Sequence, residues 1–369
     1  MTREQLLNLT IDEIPEENYF EIKRILDNSP KPIDGLGRFE DMIANIACAQ
    51  HTSKPCVDNK VLVVMCSDNG VVEEGITQTG AYVTGLITKN IADGCSIVNY
   101  MAEKAHVKIM PVDIGVNGDI NSDNIIVKKV AKGTKNFVKE PAMTEEQMLS
   151  CVEAGIEIVK QLKEEGINII CTGDVGIGNT ATATAVICSI LEGDPEVLTG
   201  RSSALSEIGY GRKVDTVFEG IKKYGYNTDV IGYNATAYMS EEERTAHISN
   251  TVFEMVMNVG GFDIAGLVGI FIGGALYHIP VVVDGIVSAA SALAADYILP
   301  GCKKYIIGSY MGKEPASEIV FQELGIAPVI TAEMFMGEGS GSVMLMPILD
   351  MLVNVFNNLS LEEGPDMEQ

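Results

Sequence analysis

Apolar residues along the chain fall into short unbroken runs rather than a strict alternation. Six of these runs are rich in β-branched residues: "VLVVMC" (61–66), "VKIMPVDIG" (107–115), "INIICTG" (167–173), "IPVVVDG" (279–285), "YIIGS" (305–309) and "PVITAE" (328–333). Continuous apolar strands suit a sheet covered on both faces, hence a parallel one. Between them lie longer stretches of helical periodicity, such as "TEEQMLSCVEAGIEIVKQLKEEG" (144–166). The order is that of an α/β protein with crossover helices. The first 55 or so residues predict helices with a break at "NSPKPIDGLG" (28–37). From Gly341 the pattern predicts a helix followed by an acidic tail, "LEEGPDMEQ". The polar, tyrosine-bearing stretch 224–249 reads either as a lid-like excursion or as ordinary surface packing.

The most apolar region runs from Ile264 to Ala295 and is interrupted by His278, Pro280 and Asp284. Its first part, between Asp263 and His278, is too short to span a bilayer comfortably. A buried helix, strand, helix succession is expected instead, and no membrane partner. The balance of 26 basic against 51 acidic residues, a net charge of −25, repels nucleic acid and acidic membranes. A small anion can still be held by local backbone N–H groups. The eight cysteines are scattered without a C-x-x-C pair, and several lie in strand-like runs. With a polar, acidic first twenty residues unlike a signal peptide, they read as reduced core thiols in a cytoplasmic protein.

Chemistry-capable residues collect at the predicted strand ends, where open α/β sheets bind ligands. "VLVVMC" leads into Ser67-Asp68-Asn69-Gly70, "INII" into Gly173-Asp174, "VVV" into Asp284-Gly285, and "YIIG" into Ser309. Turn and cap chemistry accounts for any one ending taken singly. In "CTGDVGIGNTATATAV" (171–186), Gly173, Gly176 and Gly178 allow a tight strand-to-helix turn. Asn179 and Thr180 are expected to cap the helix, whose N-terminus favours an anion. No lysine follows the last glycine, so this is not a nucleoside-triphosphate loop, and Ala181 spoils a strict dinucleotide fingerprint. A phosphate-binding turn, a dinucleotide site and a turn that binds nothing all remain open on these residues.

Arg201, Arg212 and Lys213 stand out in an acidic chain as a phosphate clamp or as helix-solvating charges. Glu338 sits between Gly337 and Gly339, beside Met334, Phe335 and Met336. A carboxylate in such surroundings has a raised pKa suited to a general base. The methionines and Phe335 themselves are expected to be core.

Taken together, "KPIDGLGRFE" (31–40), "SDNGVVEEGIT" (67–77), "KGTKNFVKEPAMT" (132–144), "GDVGIGNTATA" (173–183), "TGR" and "RK" (199–201, 212–213), "GGFDIAGLVG" (260–269), "VDGIVSAASALAA" (283–295) and "MGEGSGSVMLMPILD" (336–350) resemble the nicotinate-nucleotide:dimethylbenzimidazole phosphoribosyltransferase family, in order and over nearly the whole chain. The resemblance implies a Rossmann-like parallel sheet flanked by helices, with a smaller helical domain. On that basis residues 1–57 belong to the small domain, 58–340 form the phosphoribosyltransferase domain, and 341–369 form a C-terminal helix and tail. It implies transfer of 5-phosphoribose from nicotinate mononucleotide to an aromatic acceptor, base or phenol, with release of nicotinate, in cobamide synthesis. Glu338 matches the catalytic base, and Asp174 is a second carboxylate at the reacting centre. Gly176, Gly178, Asn179 and Thr180 match the phosphate and ribose loop. Gly200, Arg201 and Lys213 match substrate contacts, and Val175 and Met336 would touch the acceptor. No metal or redox cofactor is implied. A dimer is, of identical chains or with a homologue.

The chain departs from the family pattern at several points. Asn69 stands where histidine is usual, Asp174 where glutamate is, and Phe335 where arginine is frequent. "SYMGKEP" (309–315) lacks the usual histidine and arginine, and "SSALSE" (202–207) replaces a Gly-Thr-Gly-x-Asp-Asp segment. These departures suit a branch with another acceptor, such as phenol or p-cresol. They also suit a non-catalytic partner subunit of a heterodimeric enzyme.

Overall fold

The apolar runs 61–66 and 107–115 become the two longest strands. β1 (Lys60–Ser67) is buried at all eight positions, and β2 (Val107–Gly115) lies beside it. A computed structural model describes residues 1–201 and 205–359. The acidic tail and residues 202–204 of the 202–207 departure lie outside the described residues. β3 (Ile126–Val127), β4 (Ile169–Val175), β5 (Val281–Val283) and β6 (Ile306–Gly308) complete a six-stranded, wholly parallel sheet of order β3-β2-β1-β4-β5-β6. This is the order of a dinucleotide-fold sheet, with the strand direction of travel reversing between β1 and β4.

Both faces of the sheet are covered. In β1 the side chains of Val61, Val63 and Met65 join one core, and those of Leu62, Val64 and Cys66 join the other, as the period of two requires. The first core is built on the helices Glu145–Glu164, Asn179–Leu191, Phe262–Leu276 and Ile286–Ile298. Phe262–Leu276, β5 and Ile286–Ile298 are the expected buried helix, strand and helix. The second core takes the buried stripe of the helix Ser340–Asn357, from Val343 to Phe356, and packs it with Ile22, Leu26, Ile43 and Ile46 of the N-terminal helices. Ser340–Asn357 is the one described helix long and apolar enough to cross a membrane, and more than half of it is buried in this core.

One expected strand is corrected and one short strand was not foreseen. Residues 328–333 form no strand, only an isolated bridge between Tyr310 and Ile330; Pro328 has no N–H for a ladder, and Thr331, Ala332 and Glu333 are exposed. The two-residue β3 was not foreseen, because Ile126–Val127 is too short to give a period. The stretch 224–249 resolves as surface packing: Tyr226 and Ile231 are buried, Tyr233 and Tyr238 are exposed, and Ser240 caps the helix Glu241–Val259.

Candidate active site

Beyond the C-terminal ends of β1, β4 and β5, next to the reversal point, lies a cavity of about 320 Å³. β4 runs into it through Asp174 and Val175, and the chain then turns through Gly176–Gly178 into the helix Asn179–Leu191. Gly178 occupies the N-cap with a left-handed φ of 91°, which glycine adopts at little cost. This corrects the expectation that Asn179 and Thr180 cap the helix. Asn179 is the first helical residue, and its amide turns inward instead. Its Nδ2 donates to Asp174 Oδ2 at 2.8 Å and to Asp263 Oδ2 at 3.1 Å. Several loop amides are already engaged: Ile177 N–H donates to Thr84 Oγ1, and Asn179 and Ala181 close i−3 bonds. What this turn offers an anion is the helix dipole together with a fixed cation nearby.

That cation is Lys213, 1% exposed in the wall of the cavity. Its Nζ donates to Thr180 Oγ1 at 2.9 Å and to the Gly200 carbonyl at 2.8 Å. Burial pushes its ammonium down to about 8, against the attraction of Glu314. Gly200 thus orients the lysine through its carbonyl. Arg201 is differently placed. It is exposed, held in a two-pronged ion pair with Glu207 at 2.6 and 2.7 Å, and stacked over the Tyr210 ring. It does not line the cavity.

The opposite wall is the segment 334–338. Gly337, Glu338 and Gly339 take successive left-handed φ values of 73°, 60° and 87°. For a glutamate this conformation is strained. The loop presses on β4 so closely that a methyl added at Gly173 would lie 2.8 Å from the Gly339 nitrogen and 2.9 Å from the Glu338 carbonyl carbon. Glu338 is half-buried and faces the same cavity as the turn 176–180 and Lys213. Its carboxyl is raised above the usual range by burial first and by the charge of Asp284 second.

Asp284, at the end of β5, is buried; its carboxylate accepts N–H bonds from Gly339 (3.1 Å), Gly341 (2.7 Å) and Ser342 (3.1 Å). Burial pushes Asp284 and Asp263 each up to about 6. Asp174 is raised well above the usual carboxylate range, by burial first and then by the charges of Asp284 and Asp263. Asp263 was singled out by no argument from residue chemistry. Its one signal is a lone acid inside an apolar helix.

Phe335 and Met336 are exposed and Met334 is half-buried, at the cavity rim rather than in the core. Charged and glycine neighbours leave that segment too little apolar surface to bury. Val175 and Met336 both line the cavity, as do Tyr310, Gly312, Lys313 and Glu314 from the divergent 309–315 segment. Asn69 is buried behind the wall beside Asp263.

A family described as phosphoribosyltransferase matches residues 11–364. The nicotinate-nucleotide–dimethylbenzimidazole phosphoribosyltransferase of Acetivibrio thermocellus is 38% identical over 98% of this chain and 97% of its own. The enzyme of the same name from Ruminiclostridium cellulolyticum is 36% identical over 100% of this chain and 99% of its own. A crystal structure of such an enzyme from Thermus thermophilus superposes with a TM-score of 0.81 at 28% identity, covering 95% of this chain and 98% of that one.

Proposed function

Since the chain belongs to the nicotinate-nucleotide–dimethylbenzimidazole phosphoribosyltransferase family, we propose that it transfers 5-phosphoribose from nicotinate mononucleotide to an azole acceptor of the dimethylbenzimidazole type, in cobamide synthesis. The phosphate lies at the start of the helix Asn179–Leu191, against Lys213. The acceptor ring lies between Val175 and Met336, with its N–H toward Glu338. The observation that supports this arrangement is that Glu338, the 176–180 turn and Lys213 line one cavity.

The chemistry follows from the placement. Nicotinate in the mononucleotide is a pyridinium, so it leaves without a strong acid. As the acceptor nitrogen bonds to the anomeric carbon, the glycosidic C–N bond breaks and its electron pair neutralises the pyridinium nitrogen. The acceptor proton passes to Glu338, whose raised pKa brings it nearer the working pH of a general base. Asp174, held by the Asn179 amide, sits at the same end of β4 as a second carboxyl group beside the reacting centre.

The test is nicotinate release from nicotinate mononucleotide against dimethylbenzimidazole, adenine, phenol and p-cresol. Release with dimethylbenzimidazole and loss of about 10²–10⁴-fold in kcat in Glu338→Gln, with mononucleotide binding retained, is expected. Preference for a phenol would move the acceptor assignment to the divergent wall around Tyr310 and Phe335. An inert protein that becomes active only with a homologous chain would replace the proposal by a partner-subunit role.

A further inference from the structure

Glu338 is a strained residue, and something must hold it in place. A non-glycine residue at φ +60° persists only where its surroundings over-determine it. On its N-terminal side the Gly337 carbonyl accepts a single bond, from the Ser340 N–H at 3.0 Å. On its C-terminal side three backbone contacts converge on one carboxylate: Gly339, Gly341 and Ser342 all donate to Asp284. These amides open the helix Ser340–Asn357, so Asp284 also supplies the negative charge that the helix N-terminus favours. Asp284 is fully enclosed and comes from a different strand, 54 residues earlier in the chain. We infer that Asp284 is the positioning residue for Glu338: it locks the left-handed turn that aims Glu338 into the cavity and holds a negative charge beside it that tunes the base. This rests on the reading of Glu338 as the base.

The other groups facing Glu338 do not duplicate this role. Asp174 approaches from β4 and bonds Asn179. Lys213 faces it from across the cavity and is tied to Thr180 and Gly200. Tyr310, Lys313 and Glu314 line the wall beyond β6, and among the described residues none of them makes a backbone hydrogen bond to 337–339. Asp284 is also the charge that acts on Glu338 after burial itself. Two acids coupled in this way lose their protons in two macroscopic steps that belong to the pair.

The experiment uses Asp284→Asn, Asp284→Glu and Glu338→Gln, alone and combined, with nicotinate release from nicotinate mononucleotide and dimethylbenzimidazole as readout. Asp284→Asn should lower kcat on the order of 10- to 100-fold, with little change in KM for the mononucleotide. It should also move the acid limb of the kcat–pH profile down by roughly one pH unit, because a like charge is removed. Asp284→Glu should lower kcat and leave the limb in place. In the Glu338→Gln background, Asp284→Asn should cost nothing further. A carboxyl ¹³C titration of the unmutated protein, with the Glu338 resonance identified by its loss in Glu338→Gln, should show two steps. This last measurement stands even where an Asp284 variant does not fold. An unmoved acid limb, equal losses in both backgrounds, or a single-step titration would overturn the role of Asp284. Full activity in Glu338→Gln would instead overturn the assignment of the base.

Discussion

The ammonium of Lys213 and the hydroxyl of Thr180 are 2.9 Å apart, so the cation in the cavity wall is tied to the first turn of the helix that follows the glycine bend. In the proposed arrangement a charge held there, 1% exposed, meets the phosphate without reorganising. It also has a stability cost with a definite pH signature.

Burial lowers the Lys213 pKa to about 8 from the ordinary 10.5. Between these values the unfolded chain binds more protons than the folded one, so stability rises with pH across this window. Below pH 8 the cost of burying the charge is fully present. The difference in urea midpoint between the natural protein and Lys213→Met should therefore move in favour of the natural protein as pH is raised from 7.5 to 10. Over the same range mononucleotide affinity should fall for the natural protein as the lysine loses its charge. At pH 7 Lys213→Met should bind the mononucleotide roughly 10- to 100-fold more weakly, the equivalent of a charge-assisted hydrogen bond. A pH-independent stability difference, or unchanged affinity in the variant, would contradict this.

Much of this architecture was legible in the residue pattern. β1 and β2 could be read because their apolar runs are long, continuous and β-branched, and the run 107–115 is β2 to the residue. The glycine bend and Glu338 could be picked out because glycines flank polar residues at both places, and the structure brings the two to one cavity. What could not be read depends on approach between distant segments. The bridge from Asn179 to Asp263 joins residues 84 apart, and the Asp284 bonds span 55 to 58 residues. No local period encodes either. Arg201 stood out as a cation, yet its neighbour Glu207 neutralises it at the surface.

Asp263 and Asp284 give the protein an inverted response to mild acid. Each has a folded-state pKa of about 6 against 3.8 unfolded. From pH 6 down toward 4 the folded state binds more protons, so stability should rise as pH falls through this interval. The net charge of −25 relaxes in the same direction. Thermal unfolding should show a higher midpoint at pH 5.5 than at pH 7.5, and Asp263→Asn should flatten part of that difference. A midpoint that falls steadily from pH 7.5 to 5.5 would rule this out.

Gly173 separates packing from chemistry. A methyl there would meet backbone atoms of Glu338 and Gly339 at 2.8–2.9 Å, and backbone cannot turn aside as a long side chain can. Gly173→Ala should cost about 1–3 kcal/mol by overpacking. It should also lower kcat on the order of 10²-fold, because the displaced segment carries the base. Mononucleotide affinity, which the proposed arrangement assigns to Lys213 across the cavity, should change far less. Equal losses in affinity and turnover would show that the displacement is transmitted to the phosphate side as well.

The left-handed backbone at Glu338 predicts an inverted order of stability among inactive variants. At φ +60° a Cβ costs roughly 1–2 kcal/mol relative to glycine. Glycine gives back about 0.4–1 kcal/mol through the freer unfolded chain. Glu338→Gly should therefore be more stable than Glu338→Ala by about 1 kcal/mol, where an ordinary loop or helix position gives the opposite sign. Asparagine tolerates this region better than alanine, so Glu338→Asn should fall between them. All three variants lack the base and should release nicotinate equally slowly, which makes the stability ranking independent of catalysis. Urea denaturation at pH 7.5 reads the order directly. Alanine above glycine would mean that the turn relaxes once the carboxylate is gone, and that the strain belongs to the side chain's own interactions rather than to the fold.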